Sequence, residues 1–150
     1  MPDSISSRNT SWPYLIAALL SLVGLGDAIY LTIQDLTGQN LRCTIVSGCA
    51  EVLGSKYAHI GTIPLASVGA LAYFLVFSLA ILALFGYGFA RPGLAILVGI
   101  MFLTSLWLLY LQAFVIHHFC QYCLLSLAVT TGLTIIVLGS SFAQRRTTAP

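Results

Sequence analysis

The sequence predicts an all-α integral membrane protein, a four-transmembrane-helix bundle with a short surface helix in its first outer loop. Three observations carry that prediction. First, 59% of the 150 residues are hydrophobic and only 7% are charged, whereas soluble domains carry about 25% charged residues. So short a chain cannot hide this much apolar surface in its own core, and lipid must cover it. Second, the apolar residues fall in four runs, each near the roughly 20 residues that cross a bilayer. Third, turn residues punctuate the runs, most densely from Gly86 to Pro92. The whole reads as a single membrane domain, residues 1–150, with no long repeat or low-complexity tract.

Span one covers about 13–33. Pro13 suits its first helical position, where the missing N–H would have no partner anyway. The run exceeds the roughly 7–15-residue core of a cleavable signal, so it is expected to be retained. The outer loop, 34–62, opens on polar Thr37, Gly38, Gln39 and Asn40. Val52, Leu53, Tyr57 and Ile60 then recur at helical spacing, which predicts the helix at the membrane surface. Span two, about 63–85, is entered through Pro64. Span three covers about 93–116. Span four, about 123–142, begins near Cys120 or Cys123. Trp12, Trp107, Tyr110 and Tyr122 suit interfacial aromatic belts. Gly24 and Gly26 suit close helix approach. Asp27 lies in span one, where a charge is costly. Its expected place is near the outer interface, solvated or paired with Arg42.

Basic residues collect on the cytoplasmic side of a membrane. With both termini inside, Arg8, Arg91, Arg145 and Arg146 fall inside, and Arg42 and Lys56 fall outside. The expected location is therefore a cell inner membrane, multi-pass, with the cysteines facing the oxidising periplasm. The net charge of +2 is small. No basic stripe interleaves with aromatics, so nucleic acid is not an expected partner.

Four cysteines form two pairs, Cys43 with Cys49 and Cys120 with Cys123. Both pairs sit beside span ends. A thiol that only packs is usually found inside an apolar helix. Close pairs at the water boundary point instead to disulfide exchange, metal binding or structural cross-linking. In Cys120-Gln-Tyr-Cys123, residues three apart in a first helical turn share a face. The helix N-terminus there favours thiolate over thiol. Thiolate attacks disulfides, and it also adds to an electrophilic quinone. Cys43 and Cys49 flank Thr-Ile-Val-Ser-Gly, a spacing that lets the loop close as a disulfide. The two pairs read as a relay from a soluble partner to the loop, then to Cys-x-x-Cys, then to a membrane quinone. Structural disulfides are one alternative. A zinc site of four thiolates, or of some with His117 and His118, is another. A metal cage gains little from the membrane boundary, so no metal is expected. His117 and His118 read first as interface residues, and second as groups that favour thiolate or relay a proton. Tyr122, inside the motif, is a candidate quinone contact. Phe114 and Phe119 are candidate apolar contacts.

Together these residues resemble bacterial homologues of vitamin K epoxide reductase, from span one through span four. The resemblance rests on Cys43 and Cys49 with five residues between them, then Val52 and Ser55, then Ile63-Pro64 leading to Gly69 and Tyr73, and on Cys-x-x-Cys at the head of span four. It implies a four-helix bundle around a quinone of ubiquinone or menaquinone type, with Cys123 nearest the ring. It implies that Cys120 exchanges with Cys49 and that Cys43 meets the reduced partner first. Ser55 matches a serine near the quinone end of the loop helix; its plainer reading is a helix cap or turn residue. The chain departs from the family at Thr62, where Gly often precedes Ile-Pro. It departs again at Leu127, where vertebrate members carry a tyrosine that hydrogen-bonds vitamin K. Span two also lacks the quinone-binding asparagine. The expected function is a membrane thiol oxidase, a quinone-dependent thiol–disulfide oxidoreductase. It forms disulfides in a periplasmic thioredoxin-fold, DsbA-like partner and reduces a membrane quinone. No thioredoxin-like domain follows Arg145 and Arg146, so that partner is expected to be a separate protein. The alternatives are vitamin K quinone or epoxide reduction, and a non-catalytic structural or zinc-binding membrane protein.

Overall fold

The computed structural model describes residues 3–38 and 48–148. Its long helices are α1 (Asp3–Thr37), α3 (Leu65–Leu84), α4 (Ala90–Leu111) and α5 (Gln121–Thr148), with the short α2 (Cys49–Leu53) before α3. Among the described residues, four helical stretches are long and apolar enough to cross a membrane: Ser11–Thr37, Leu65–Leu84, Ala90–Ile116 and Gln121–Arg146. The only strands among those residues are β1 (His59–Ile60) and β2 (Ile63–Pro64), an antiparallel pair. The architecture is the all-α four-helix membrane bundle that the composition predicts.

Small residues recur where the helices meet. Buried positions hold many small residues, including Ala17, Ala18, Ala28, Ala80, Ala83 and Ala90. Large apolar residues such as Leu71, Phe74, Ile96, Leu103 and Ile135 face outward. Small residues let helix backbones approach, and dispersion between them replaces the hydrophobic drive that lipid removes. Helix α1 packs on α3 and α5, and α4 packs on α5 and α3. The closest approach is at Gly24, where a Cβ would collide with the Tyr73 ring. Gly26 has nothing within 4 Å of such a Cβ, so only the first of the two glycines serves close approach.

Three local features differ from expectation. Helix α1 starts before Pro13, which lies inside it. Proline removes one i→i−4 bond and crowds a carbonyl. That loss falls ahead of the apolar run, where water can take the freed carbonyl. The surface helix is also shorter than Val52, Leu53, Tyr57 and Ile60 suggest. The Gly54 N–H donates to the Ala50 carbonyl at 2.9 Å. Ser55 then turns extended (φ −74°, ψ 154°), leaving Tyr57 in a 3-10 turn and Ile60 in β1. Finally, α4 passes into a π turn over Gln112–Ile116, which ends on His117 in the left-handed region (φ 57°).

Two tethers mark the ends of the bundle. At one end the His59 Nε2 and Asp35 Oδ2 lie 3.0 Å apart, tying β1 to the close of α1. At the other, Arg91 Nη1 donates to Gln144 Oε1 at 3.3 Å, and its guanidinium lies over the Tyr14 ring.

Candidate active site

Helix α5 begins one residue after Cys120. The Leu124 N–H donates to the Cys120 carbonyl at 3.0 Å, which places Cys120 at the N-cap and Cys123 in the first turn. The Cys120 N–H donates to Gln112 Oε1 at 2.9 Å. Gln112 is itself buried, on the π turn that closes α4. One side chain thus fixes the distance between the end of one span and the head of the next.

Cys49 opens α2. Both Cys49 and Cys120 are 0% exposed, and they share one apolar cluster with Val52; Leu53, Ile116, Tyr122 and Cys123 pack around it. Gly48 makes the approach possible. A Cβ there would lie 2.7 Å from the Phe119 carbonyl oxygen and 2.8 Å from the Phe119 nitrogen. Cys49 is disulfide-bonded, whereas Cys120 and Cys123 carry free thiols. Cys43, Arg42, Gln39 and Asn40 lie outside the described residues.

The Cys120 thiol is held down to about 7. The main cause is a hydrogen bond from the Cys123 side chain, which stabilises the Cys120 thiolate. Burial opposes it, and the backbone N–H groups of Cys123 and Tyr122 add to the lowering. These are the donors that a helix N-terminus offers an anion.

Below this cluster the four long helices border a partly open cavity of about 350 Å3. Ala28 and Leu31 of α1, Gly69 and Tyr73 of α3, Met101 and Leu108 of α4, and Ser126 and Thr130 of α5 form its walls. Val52, Ser55 and Tyr57 roof it, and Cys123 and Gln112 lie on its surface. The Tyr73 hydroxyl donates to the Ser126 carbonyl at 3.2 Å and lies 2.7 Å from Ser126 Oγ. Ser55 Oγ donates to the Val52 carbonyl at 2.7 Å, so this residue both ends α2 and lines the cavity.

Cys49, Cys120, Cys123 and Ser55 are therefore brought to one place. Phe114, Phe119 and Tyr122 do not line the cavity. Phe114 is 68% exposed, on an outward ladder with Tyr110 and Trp107. The Tyr122 ring meets Tyr30 at 5.4 Å. Among the described residues, no three His, Cys, Asp or Glu side chains converge as a metal site. Gln112 and Ser126, which were not among the expected site residues, line the cavity together with Asp27, expected near the outer interface, solvated or paired with Arg42; Arg42 lies outside the described residues. A signal existed for each: Asp27 and Gln112 are polar in apolar runs, and Ser126 follows Cys123 by three positions on the same helix face.

The sequence profile of the vitamin K epoxide reductase family matches residues 15–138. The matched stretch reaches into all four long helices and contains both cysteine pairs. With its four apolar helices and its paired cysteines, the chain belongs to the vitamin K epoxide reductase family and is a membrane oxidoreductase.

Proposed function

We propose that this protein is a quinone-dependent thiol–disulfide oxidoreductase, working by a relay of two cysteine pairs. One observation carries the reading: Cys123 faces the cavity while its neighbour Cys120 is buried against Cys49. The motif thus touches the loop on one side and an apolar chamber on the other. The chamber falls within the roughly 300–1,000 Å3 of small-molecule sites and has the mostly apolar lining they share. Such a space suits a quinone head group of ubiquinone or menaquinone type.

In this reading a reduced thioredoxin-fold protein, DsbA-like and on the periplasmic side, gives two electrons to the Cys43–Cys49 disulfide. The resulting Cys49 thiolate attacks Cys120, breaking the Cys120–Cys123 disulfide through a transient Cys49–Cys120 bond. Cys43 then resolves that bond and restores the loop disulfide. The Cys120–Cys123 dithiol next closes to a disulfide, releasing two electrons and two protons. The bound quinone supplies the two-electron acceptor. Gln112 holds the Cys120 backbone in place, and the mostly apolar walls favour the quinone over water. The basic-residue bias supports an inner-membrane location with both termini cytoplasmic. Arg91, Arg145 and Arg146 belong to the bundle end opposite the cysteines.

The test is quinone reduction by purified protein with a reduced thioredoxin-fold donor. Cys123→Ala is expected to abolish it. Cys120→Ser is expected to block transfer between the pairs while the loop disulfide still forms. Turnover of either variant at the parental rate would sink the relay.

A further inference from the structure

Given the quinone chemistry proposed above, we infer that Asp27 is the proton donor of the cavity, passing a proton to a quinone oxygen and recovering one from the cysteine dithiol. A carboxyl within a membrane span is costly and usually functional. Asp27 lines the cavity together with Cys123. Its Oδ1 is shielded from solvent and has no hydrogen-bond partner among the described residues.

Most other polar groups of the wall are occupied. Ser55 donates to the Val52 carbonyl, and Thr104 to the Ile100 carbonyl. Thr130 donates to the Ser126 and Leu127 carbonyls. Tyr73 is paired with Ser126, and Gln112 Oε1 is taken by the Cys120 N–H. A buried polar atom is normally paired. The open position at Asp27 Oδ1 is where a ligand would complete the set.

The groups facing Asp27 set the electrostatics around it. Tyr73 of α3 and the thiols at the head of α5 are within its electrostatic reach. Tyr57 of the 3-10 turn also lines the chamber, α4 contributes no ionisable group, and among the described residues no Lys, Arg or His is on its wall. Among the described residues, no cation on the wall is placed to pair a carboxylate. A neutral acid can donate to a carbonyl oxygen.

The balance closes. Oxidation of the dithiol breaks two S–H bonds and forms one S–S bond. Two electrons and two protons convert the quinone to the quinol, forming two O–H bonds. One proton passes through Asp27, whose carboxyl ends as it began; the other travels by way of solvent.

The experiment is infrared difference spectroscopy of the detergent-solubilised protein, with and without a short-chain ubiquinone. The expected result is a protonated-carboxyl band that shifts on quinone addition and is missing in Asp27→Asn. In parallel, quinone affinity and the single-turnover rate of dithiol oxidation are measured. Asp27→Asn is expected to bind quinone within about threefold of the parent. Its oxidation is expected to slow about 100-fold, the usual scale for a lost general acid, with Asp27→Glu recovering part of the rate. Quinone binding with no shifting carboxyl band and an unchanged Asp27→Asn rate would overturn the role of Asp27 alone. Absence of quinone binding to the parent protein would overturn the quinone reading itself.

Discussion

Cys120 combines two properties that usually exclude each other: complete burial and ionisation close to neutral pH. Its carboxyl-side neighbour in the motif resolves the conflict, because Cys123 supplies the hydrogen bond that water would otherwise give. The sign of the resulting pH dependence follows. A lowered thiol loses its anion only as pH falls through about 7, so thiolate absorbance in a protein lacking the loop cysteines should titrate there. In Cys123→Ala the midpoint should rise toward the free-thiol value of about 8.5. An unmoved midpoint would assign the effect to the helix terminus instead. At this scale the sequence was most legible where chemistry is written in residue type. The four cysteines announce themselves, and Ser55 was reached by resemblance. Phe114 was not legible as an outward residue, since its span is largely apolar and packing decides which face turns to lipid. Asp27 was visible as a charge in a span, but its cavity is made by four helices and by no local pattern.

Among the elements, the close pair α1 and α3 depends on one missing methyl group. Gly24→Ala should push the Tyr73 ring out of place, at a cost of ~1–3 kcal/mol typical of overpacked interiors. It should also disturb the hydrogen bond from Tyr73 to Ser126. Gly26→Ala, two residues along with open space around it, should leave stability unchanged or slightly raised, since Ala is the better helix former. Thermal unfolding of both variants in detergent checks this; equal losses would mean that helix flexibility, and not the Tyr73 contact, is what glycine provides. The four long helices were legible because each carries an apolar run of spanning length. Their ends were less so. Pro13 reads as a start, yet the helix runs through it. The π turn at Gln112–Ile116 and the left-handed His117 have no sequence mark; Gln112, at the head of that turn, meets the Cys120 N–H eight residues on.

The molecule as a whole is a bundle with many large apolar side chains turned outward, as a lipid surround allows, and with small residues and large ones such as Tyr73, Leu94 and Leu133 sharing the interior. Its two ends differ in charge, and that difference predicts orientation. A single cysteine introduced at Lys56, in a background lacking the native four, should react with a membrane-impermeant maleimide added to intact spheroplasts. One introduced at Arg145 should react only after lysis. The reverse pattern would turn the bundle over and place the native thiols in a reducing compartment. The burial of Cys49 and Cys120 also bears on damage. Thiolates are normally the first groups that peroxide converts to sulfenic and then to irreversible sulfinic acid, and access decides which of them are hit. Here the readily ionised sulfur is sealed under α2, with the Gly48 backbone set against Phe119. Small oxidants dissolved in water reach a closed surface, so in the orientation proposed above the seal would let a thiolate-forming cysteine persist without being consumed.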